Sequence, residues 1–226
     1  MQRDRPQRPC LQDLAKQWVK IRWRKPGRVY LAVVHRLDAP VAGVALLART
    51  SKAAGRLSRQ IREQTVRKTY RAVAEGRLPD TEGVAEHYLL RRDRNSQVVP
   101  SGTTGSQLAR LRYRCLDQTD NRSLLEIELE TGRRHQIRLQ LAAMGCPIAG
   151  DRRYGARQSL THGRIALLSY RLGVDHPTSG QRLFFQCPMP AGWPWPGSTS
   201  SDSPLWTVED LMAAGWRPAV LDAALR

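Results

Sequence analysis

Across residues 125–130 the chain alternates without a break, Leu125, Ile127 and Leu129 being interleaved with Glu126, Glu128 and Glu130. Successive side chains of a strand point to opposite faces, so this period of two commits the segment to a sheet with one buried and one wet face. A helix would scatter the same residues around its circumference. Further strand-like runs lie at 29–34, 44–48, 69–74, 87–91, 108–116, 165–172 and 183–187. Helical periodicity is confined to fewer segments. Leu11–Arg22 sets Leu11, Leu14, Ala15, Trp18 and Val19 on one face before the Lys-Pro-Gly at 25–27 breaks it. A second helix is capped by Thr50 or Ser51 and turns Ala54, Leu57 and Ile61 inward. Strands therefore outnumber helices, which predicts an α+β fold with a mixed, mainly antiparallel sheet flanked by helices.

A chain of 226 residues with 41% apolar content buries a sizeable core without help. Composition divides it into a basic tail over 1–10, one domain over 11–190, and a Pro/Ser-rich linker over 191–226 that carries a short helix at 207–215. The four cysteines, Cys10, Cys115, Cys146 and Cys187, show no metal-ligand spacing and read as reduced thiols. No apolar run approaches membrane-spanning length, and the first residues lack the apolar core of a secretion signal. A cytoplasmic monomer without membrane, metal or cofactor is the expectation.

Charge narrows the class of partner. The formal net charge is +17 and only five of the 37 basic residues are lysine, the rest being arginine. A GC-rich coding sequence accounts for much of the arginine-to-lysine ratio but little of the net excess, which points to a polyanion such as RNA. Guanidinium groups grip phosphate with two prongs and stack on bases, as ammonium groups cannot.

Two segments carry the chemistry. Over 34–50 the run VHRLDAPVAGVALLART sets Asp38 beside His35 and Arg36 ahead of an apolar stretch. Over 131–155 the run TGRRHQIRLQLAAMGCPIAGDRRYG supplies a dense group of donors before and within a segment read as an amphipathic helix starting near Arg133. These segments, with KTYRAVAEG at 68–76 between them, resemble the RluA-type RNA pseudouridine synthases. That family carries an HRLD element, a middle motif, a TGRxHQIR element and a PIxGDxxYG-like element in this order. The resemblance extends over about 11–190 and implies the pseudouridine synthase catalytic fold, an RNA substrate (rRNA or tRNA), base flipping and no cofactor.

The resemblance assigns Asp38 as the catalytic carboxylate, Arg138 as its ion partner and Tyr70 as the ring that stacks on the flipped uracil and assists proton removal at C5. Read alone, the HRLD tetrapeptide favours an Asp38 that caps a turn and pairs with Arg36, a reading the downstream motifs reverse, and the alternative for Tyr70 is a cross-strand core tyrosine. A desolvated aspartate needs a cationic partner to stay ionised, and helical spacing would set Arg134, His135 and Arg138 on one face. Arg133, Arg134 and His135 are candidate substrate contacts, with solvated arginines as the alternative reading of the first two. His35 and Arg36 serve RNA placement or local structure. Ile148 is either an apolar wall of the base pocket or a core residue. The chain departs from the family pattern at Val41 and Ala42, where many members carry hydroxyls, and at Leu168, where many carry a histidine. It also has only ten residues ahead of Leu11 and no RNA-binding S4 module. A metal-dependent nuclease is disfavoured because no acidic cluster accompanies Asp38. A catalytically silent RNA-binding module with the same fold is the remaining alternative.

Overall fold

The structure, a computed structural model, describes residues 10–93, 95–190 and 192–195. In chain order it contains α1 (Leu11–Arg22), β1 (Ala32–His35), β2 (Ala42–Gly43), β3 (Leu46–Ala48), α2 (Ser51–Arg62), β4 (Arg67–Glu75), β5 (Glu82–Arg92) and β6 (Asn95–Val99). There follow β7 (Gln107–Gln118), β8 (Arg122–Leu129), α3 (Gln136–Ala143), two short 3-10 turns, β9 (Leu167–Asp175) and β10 (Arg182–Gln186). Seven strands pair antiparallel in the order β10-β9-β4-β8-β7-β5-β6, and β2 adds a short parallel pairing along β9. The sheet is thus mixed and mainly antiparallel, as the alternation implies. The β1–β3 hairpin stands apart from it and is covered by α2.

The two faces of the sheet follow the sequence period. Leu125 and Ile127 of β8 are wholly buried, together with Ala72 and Ala74 of β4 and Leu111 of β7, in one continuous core. On the other face Glu126 lies 3.1 Å from both Arg71 and Arg114, and Glu130 lies 2.8 Å from Arg110 and 2.6 Å from Arg112. These pairs are solvated and contribute little each. Their ladder keeps the wet face polar while the apolar face forms the core.

Several elements differ from the sequence reading. β6 escapes it because NSQVV has two apolar residues and no alternation; pairing with β5 recruits it at the sheet edge. β5 starts at Glu82 rather than 87, since cross-strand partners on β7 extend the ladder through Gly83 and Val84. The third helix starts at Gln136, and the approach over 131–135 is a loop tied by the Gln136 side chain. Its Oε1 accepts from the Arg133 N–H at 2.9 Å and lies 2.8 Å from Thr131 Oγ1, while its Nε2 donates to the Arg110 carbonyl at 3.1 Å. Nor is α3 amphipathic, because residues 136–141 are all buried and the polar ones are hydrogen-bonded. Part of the stretch read as linker is also core, since Trp193 is buried in the main cluster and Trp195 Nε1 donates to Asp117 at 3.2 Å. The tail over 1–9 and the helix expected at 207–215 lie outside the described residues.

Gly43 seats the turn that bears Asp38. Its φ is +118°, and a Cβ there would fall 2.3 Å from the Ser169 carbonyl oxygen. Val44 N–H donates to that same carbonyl at 2.9 Å, and Ser169 Oγ donates back to the Val44 carbonyl at 3.1 Å. Gly43→Ala combines a left-handed backbone with a backbone clash, and should cost about 3 kcal/mol in urea unfolding. Gly55 lies in α2 with open space around its missing Cβ, so Gly55→Ala should instead stabilise by roughly 0.5 to 1 kcal/mol.

Candidate active site

Asp38 follows β1 in a turn closed by the Val41 N–H, which donates to the Asp38 carbonyl at 2.9 Å. The turn and the Gly43 contact hold its side chain at the edge of the sheet, about one-third exposed. One carboxylate oxygen, Oδ2, faces the protein, 3.4 Å from Arg138 Nη1 and 3.5 Å from His135 Nε2. The other, Oδ1, has no hydrogen-bond partner among the described residues. A carboxylate held by one oxygen keeps the second for chemistry.

Arg138 projects from α3 and is shared unequally. Its main partner is Asp151, not Asp38: Nε donates to Oδ2 at 2.6 Å and Nη2 to Oδ1 at 2.8 Å, with both residues buried. Burial works against the Arg138 charge. The hydrogen bonds and charge of Asp151, followed by the charge of Asp38, outweigh that penalty and hold the guanidinium above its ordinary pKa. The remaining amino group, Nη1, is left pointing at Asp38. Asp151 is thus a site residue that the sequence reading passed over, although it stands in the PIAGDRRYG run used for the resemblance.

His135 reaches Asp38 by a route other than helical spacing. It precedes α3 in the left-handed region, φ 55°, a conformation uncommon for any residue other than glycine. This places Nε2 toward Asp38 and Nδ1 2.6 Å from the Tyr154 hydroxyl. Tyr154 lies in the turn Arg152–Tyr154 after Asp151, and the Arg138 guanidinium sits 4.8 Å from its ring centroid. Burial lowers the His135 pKa; Asp38 opposes that, and Arg138, Arg134 and Arg153 reinforce it.

Tyr70 stands on β4 opposite Ser169 of β9, which carries the Gly43 contact. Burial raises its hydroxyl to about 12, opposed by a hydrogen bond to Ser169 and assisted by the Asp38 charge. Its oxygen is 3.3 Å from His35 Nε2. His35 is therefore placed behind Tyr70 rather than on the outer surface, and burial, then the charge of Lys68, bring its pKa down to about 4. Lys68 is itself buried, its Nζ 3.5 Å from the Thr131 carbonyl, and burial followed by the Arg133 charge lowers its pKa.

The other expected contacts divide. Arg36 is exposed beside Asp38, and Arg134 is half-buried. Arg133 Nε donates to the Leu108 carbonyl at 3.0 Å, which anchors part of its side chain to β7. Ile148 is 1% exposed and lies in the main core, bridged through its backbone to Ala74. Among the described residues no group of three or more His, Cys, Asp or Glu is placed to hold a metal, and none of their helices is long and apolar enough to cross a membrane. All four cysteines are free thiols. A groove of about 670 Å³ lies along the charged side of the sheet, lined in part by Arg67, Arg114, Glu126 and Glu128.

The chain belongs to the RNA pseudouridylate synthase family, whose model matches residues 2–143. That match includes Asp38, Tyr70 and Arg138 and ends before Asp151 and Tyr154. An uncharacterized RNA pseudouridine synthase of Chloroflexus aurantiacus is 42% identical over 169 residues, covering 73% of this chain and 52% of that protein. Ribosomal large subunit pseudouridine synthase D of Nitrosomonas europaea is 36% identical over 170 residues, covering 70% and 48%. The chain spans about half the length of these curated relatives. The solved human RNA pseudouridylate synthase domain containing 4 shares the fold with a TM-score of 0.68 at 24% identity, covering 80% of each chain.

Two outcomes follow from this geometry. Asp151→Asn removes a buried charge from a bidentate pair and should destabilise the protein by about 3 to 5 kcal/mol in chemical denaturation. The neutral form of His35 is favoured on folding, so its contribution to stability is complete above pH 6.5 and is lost as pH falls from there toward 4. Within that window the wild type should lose up to about 1.4 kcal/mol per pH unit more than His35→Gln, measured by urea unfolding at each pH.

Proposed function

We propose that this chain isomerises uridines in structured RNA to pseudouridine, with Asp38 as the catalytic carboxylate. The observation that carries this reading is the asymmetric seating of Asp38, one oxygen held by Arg138 and His135 and the other open. In the reaction the bond from C1′ to N1 breaks, the uracil turns, C1′ joins C5, the hydrogen on C5 leaves as a proton, and the freed N1 takes up a proton. Asp38 serves as nucleophile or base toward the electron-poor sugar. No electrons are gained or lost overall, so the cycle needs no redox cofactor.

The uridine has to leave its stack to reach a carboxylate at the sheet edge, which makes base flipping part of the reading. Tyr70 offers a ring for the flipped uracil. With its hydroxyl protonated at neutral pH and His35 neutral behind it, Tyr70 assists proton movement at C5 as a hydrogen-bonding relay rather than as a preformed phenolate. Arg36, Arg133 and Arg134 are assigned to RNA phosphates. The relatives named for the ribosomal large subunit favour rRNA as the substrate class, and a cytoplasmic enzyme fits that substrate.

Asp38→Asn should bind RNA as well as wild type while tritium release from RNA carrying 5-tritiated uridine falls by far more than tenfold. Retention of activity within tenfold would refute the assignment of Asp38, and a wild type that binds RNA but releases no tritium would leave a silent RNA-binding module. The logarithm of RNA affinity should fall linearly with the logarithm of salt, with a slope of roughly −3 to −6 for several neutralised phosphates. Replacing Arg133 and Arg134 with Gln should make it shallower by about one for each true phosphate contact.

A further inference from the structure

We propose that Lys68 is a further substrate-binding residue, its ammonium seating one RNA phosphate over Gly132, beside the flipped uridine. The inference rests on the reading that Asp38 and Tyr70 receive that uridine. Lys68 stands two residues before Tyr70 on β4, and the two are buried in alternation with their neighbours. Their side chains therefore leave the same face of the strand, about 7 Å apart along it. The Lys68 charge also reaches His35, whose ring contacts the Tyr70 hydroxyl. The reaction itself makes no use of this lysine.

Lys68 is only 7% exposed, yet its donors are barely used. An ammonium carries three, and the single hydrogen bond made here is a long one, 3.5 Å to the Thr131 carbonyl. No carboxylate among the described residues pairs with it. Arg133, two positions beyond Thr131, adds a charge of the same sign and has no acidic partner among the described residues either, its Nε being spent on the Leu108 carbonyl. An unpaired charge taken out of water is costly, and a tie to one carbonyl would be made as well by a neutral amide. Two cations set close together without a counter-ion are a ready place for an anion.

Gly132 opens this place to RNA. It is exposed although Thr131 and Lys68 are buried, and a Cβ on it would come 3.3 Å from Lys68 Nζ. The bare backbone is thus a thin cover over the ammonium, and a group resting on it lies within reach of Nζ. The Gly132 N–H has no acceptor among the described residues and supplies a second donor. A phosphate is the ligand that suits both, because RNA carries one negative phosphate per nucleotide and Tyr70 holds the uracil one same-face position away. Such an anion also offsets what burial and the Arg133 charge do to Lys68, which is to lower its pKa.

The test is single-turnover tritium release at a series of salt concentrations, with the full chain in excess over total RNA from cells lacking this gene and labelled with 5-tritiated uridine. Lys68→Met keeps the apolar stem and removes the charge. The dependence of log half-saturating protein on log salt should become shallower by about one. At about 0.1 M salt the half-saturating concentration should rise roughly tenfold, far more than the limiting rate falls. Since the ammonium is buried without a counter-ion, this variant should unfold at the same or a higher urea concentration than wild type. Gly132→Ala keeps every charge but fills the seat, and should raise the half-saturating concentration several-fold; it decides the matter if Lys68→Met does not fold. An unchanged salt slope with a lowered urea midpoint would make Lys68 a loop tie and overturn the proposal. So would a lowered limiting rate at unchanged affinity, or a Gly132→Ala variant with wild-type affinity. Asp38→Asn in the same assay separates the two readings. If it is inactive and the slope of Lys68→Met is unchanged, only this inference fails; if it is active, the assignment of Asp38 fails first.

Discussion

The buried pair between Arg138 and Asp151 organises everything around the site. Two short, parallel hydrogen bonds consume two edges of the guanidinium and leave one amino group for Asp38. Taking both charges out of water is costly, and good bidentate geometry is what offsets it. The pair also joins two distant stretches of chain, α3 and the turn after Ile148, and so fixes where Tyr154 stands relative to His135. A guanidinium suits this because its planar fork grips one carboxylate with two parallel donors and still presents a third nitrogen to another, a geometry a point-like ammonium cannot reproduce.

Asp38 depends on a second constraint of a different kind. Its turn is pressed against β9 by a glycine that lets backbone touch backbone at Ser169, and Ser169 is the residue paired with Tyr70. The aspartate and the tyrosine, far apart in sequence, are thereby registered on one strand. The two departures from the family pattern beside Gly43, at Val41 and Ala42, leave this contact intact. Leu168, the third departure, is wholly buried in the core, so an apolar side chain suits its place there.

The electrostatics of the site run against its composition. A chain with a net charge of +17 places Asp38, the carboxylate proposed to react, among cations but assigns most of the nearest one to another carboxylate. Exposed arginines remain free to meet phosphate, while the histidines nearest the chemistry, His35 and His135, are held toward their neutral forms by burial and by neighbouring cations. The sharing of Arg138 leaves Asp38 with one of the three guanidinium nitrogens rather than a two-pronged pair.

The sequence by itself determined the sheet, its two faces, α1 and α2, and the three motifs that carry Asp38, Tyr70 and Arg138, because those depend on local periodicity and on residue identity. It misjudged β6 and the start of α3, where pairing and side-chain ties from distant residues override weak local preference. It paired Arg138 with Asp38 alone and treated His135 as a substrate contact, since a one-dimensional pattern gives the spacing of donors but not their sharing. Only the tertiary structure decided that Asp151 takes the larger part of Arg138, that a left-handed backbone at His135 turns its ring between Tyr154 and Asp38, and that Ile148 is buried in the main core. The reason is physical: hydrogen-bond partners and burial are set by which strands and turns meet in space, and those meetings join residues such as Val44 and Ser169, separated by 125 positions along the chain.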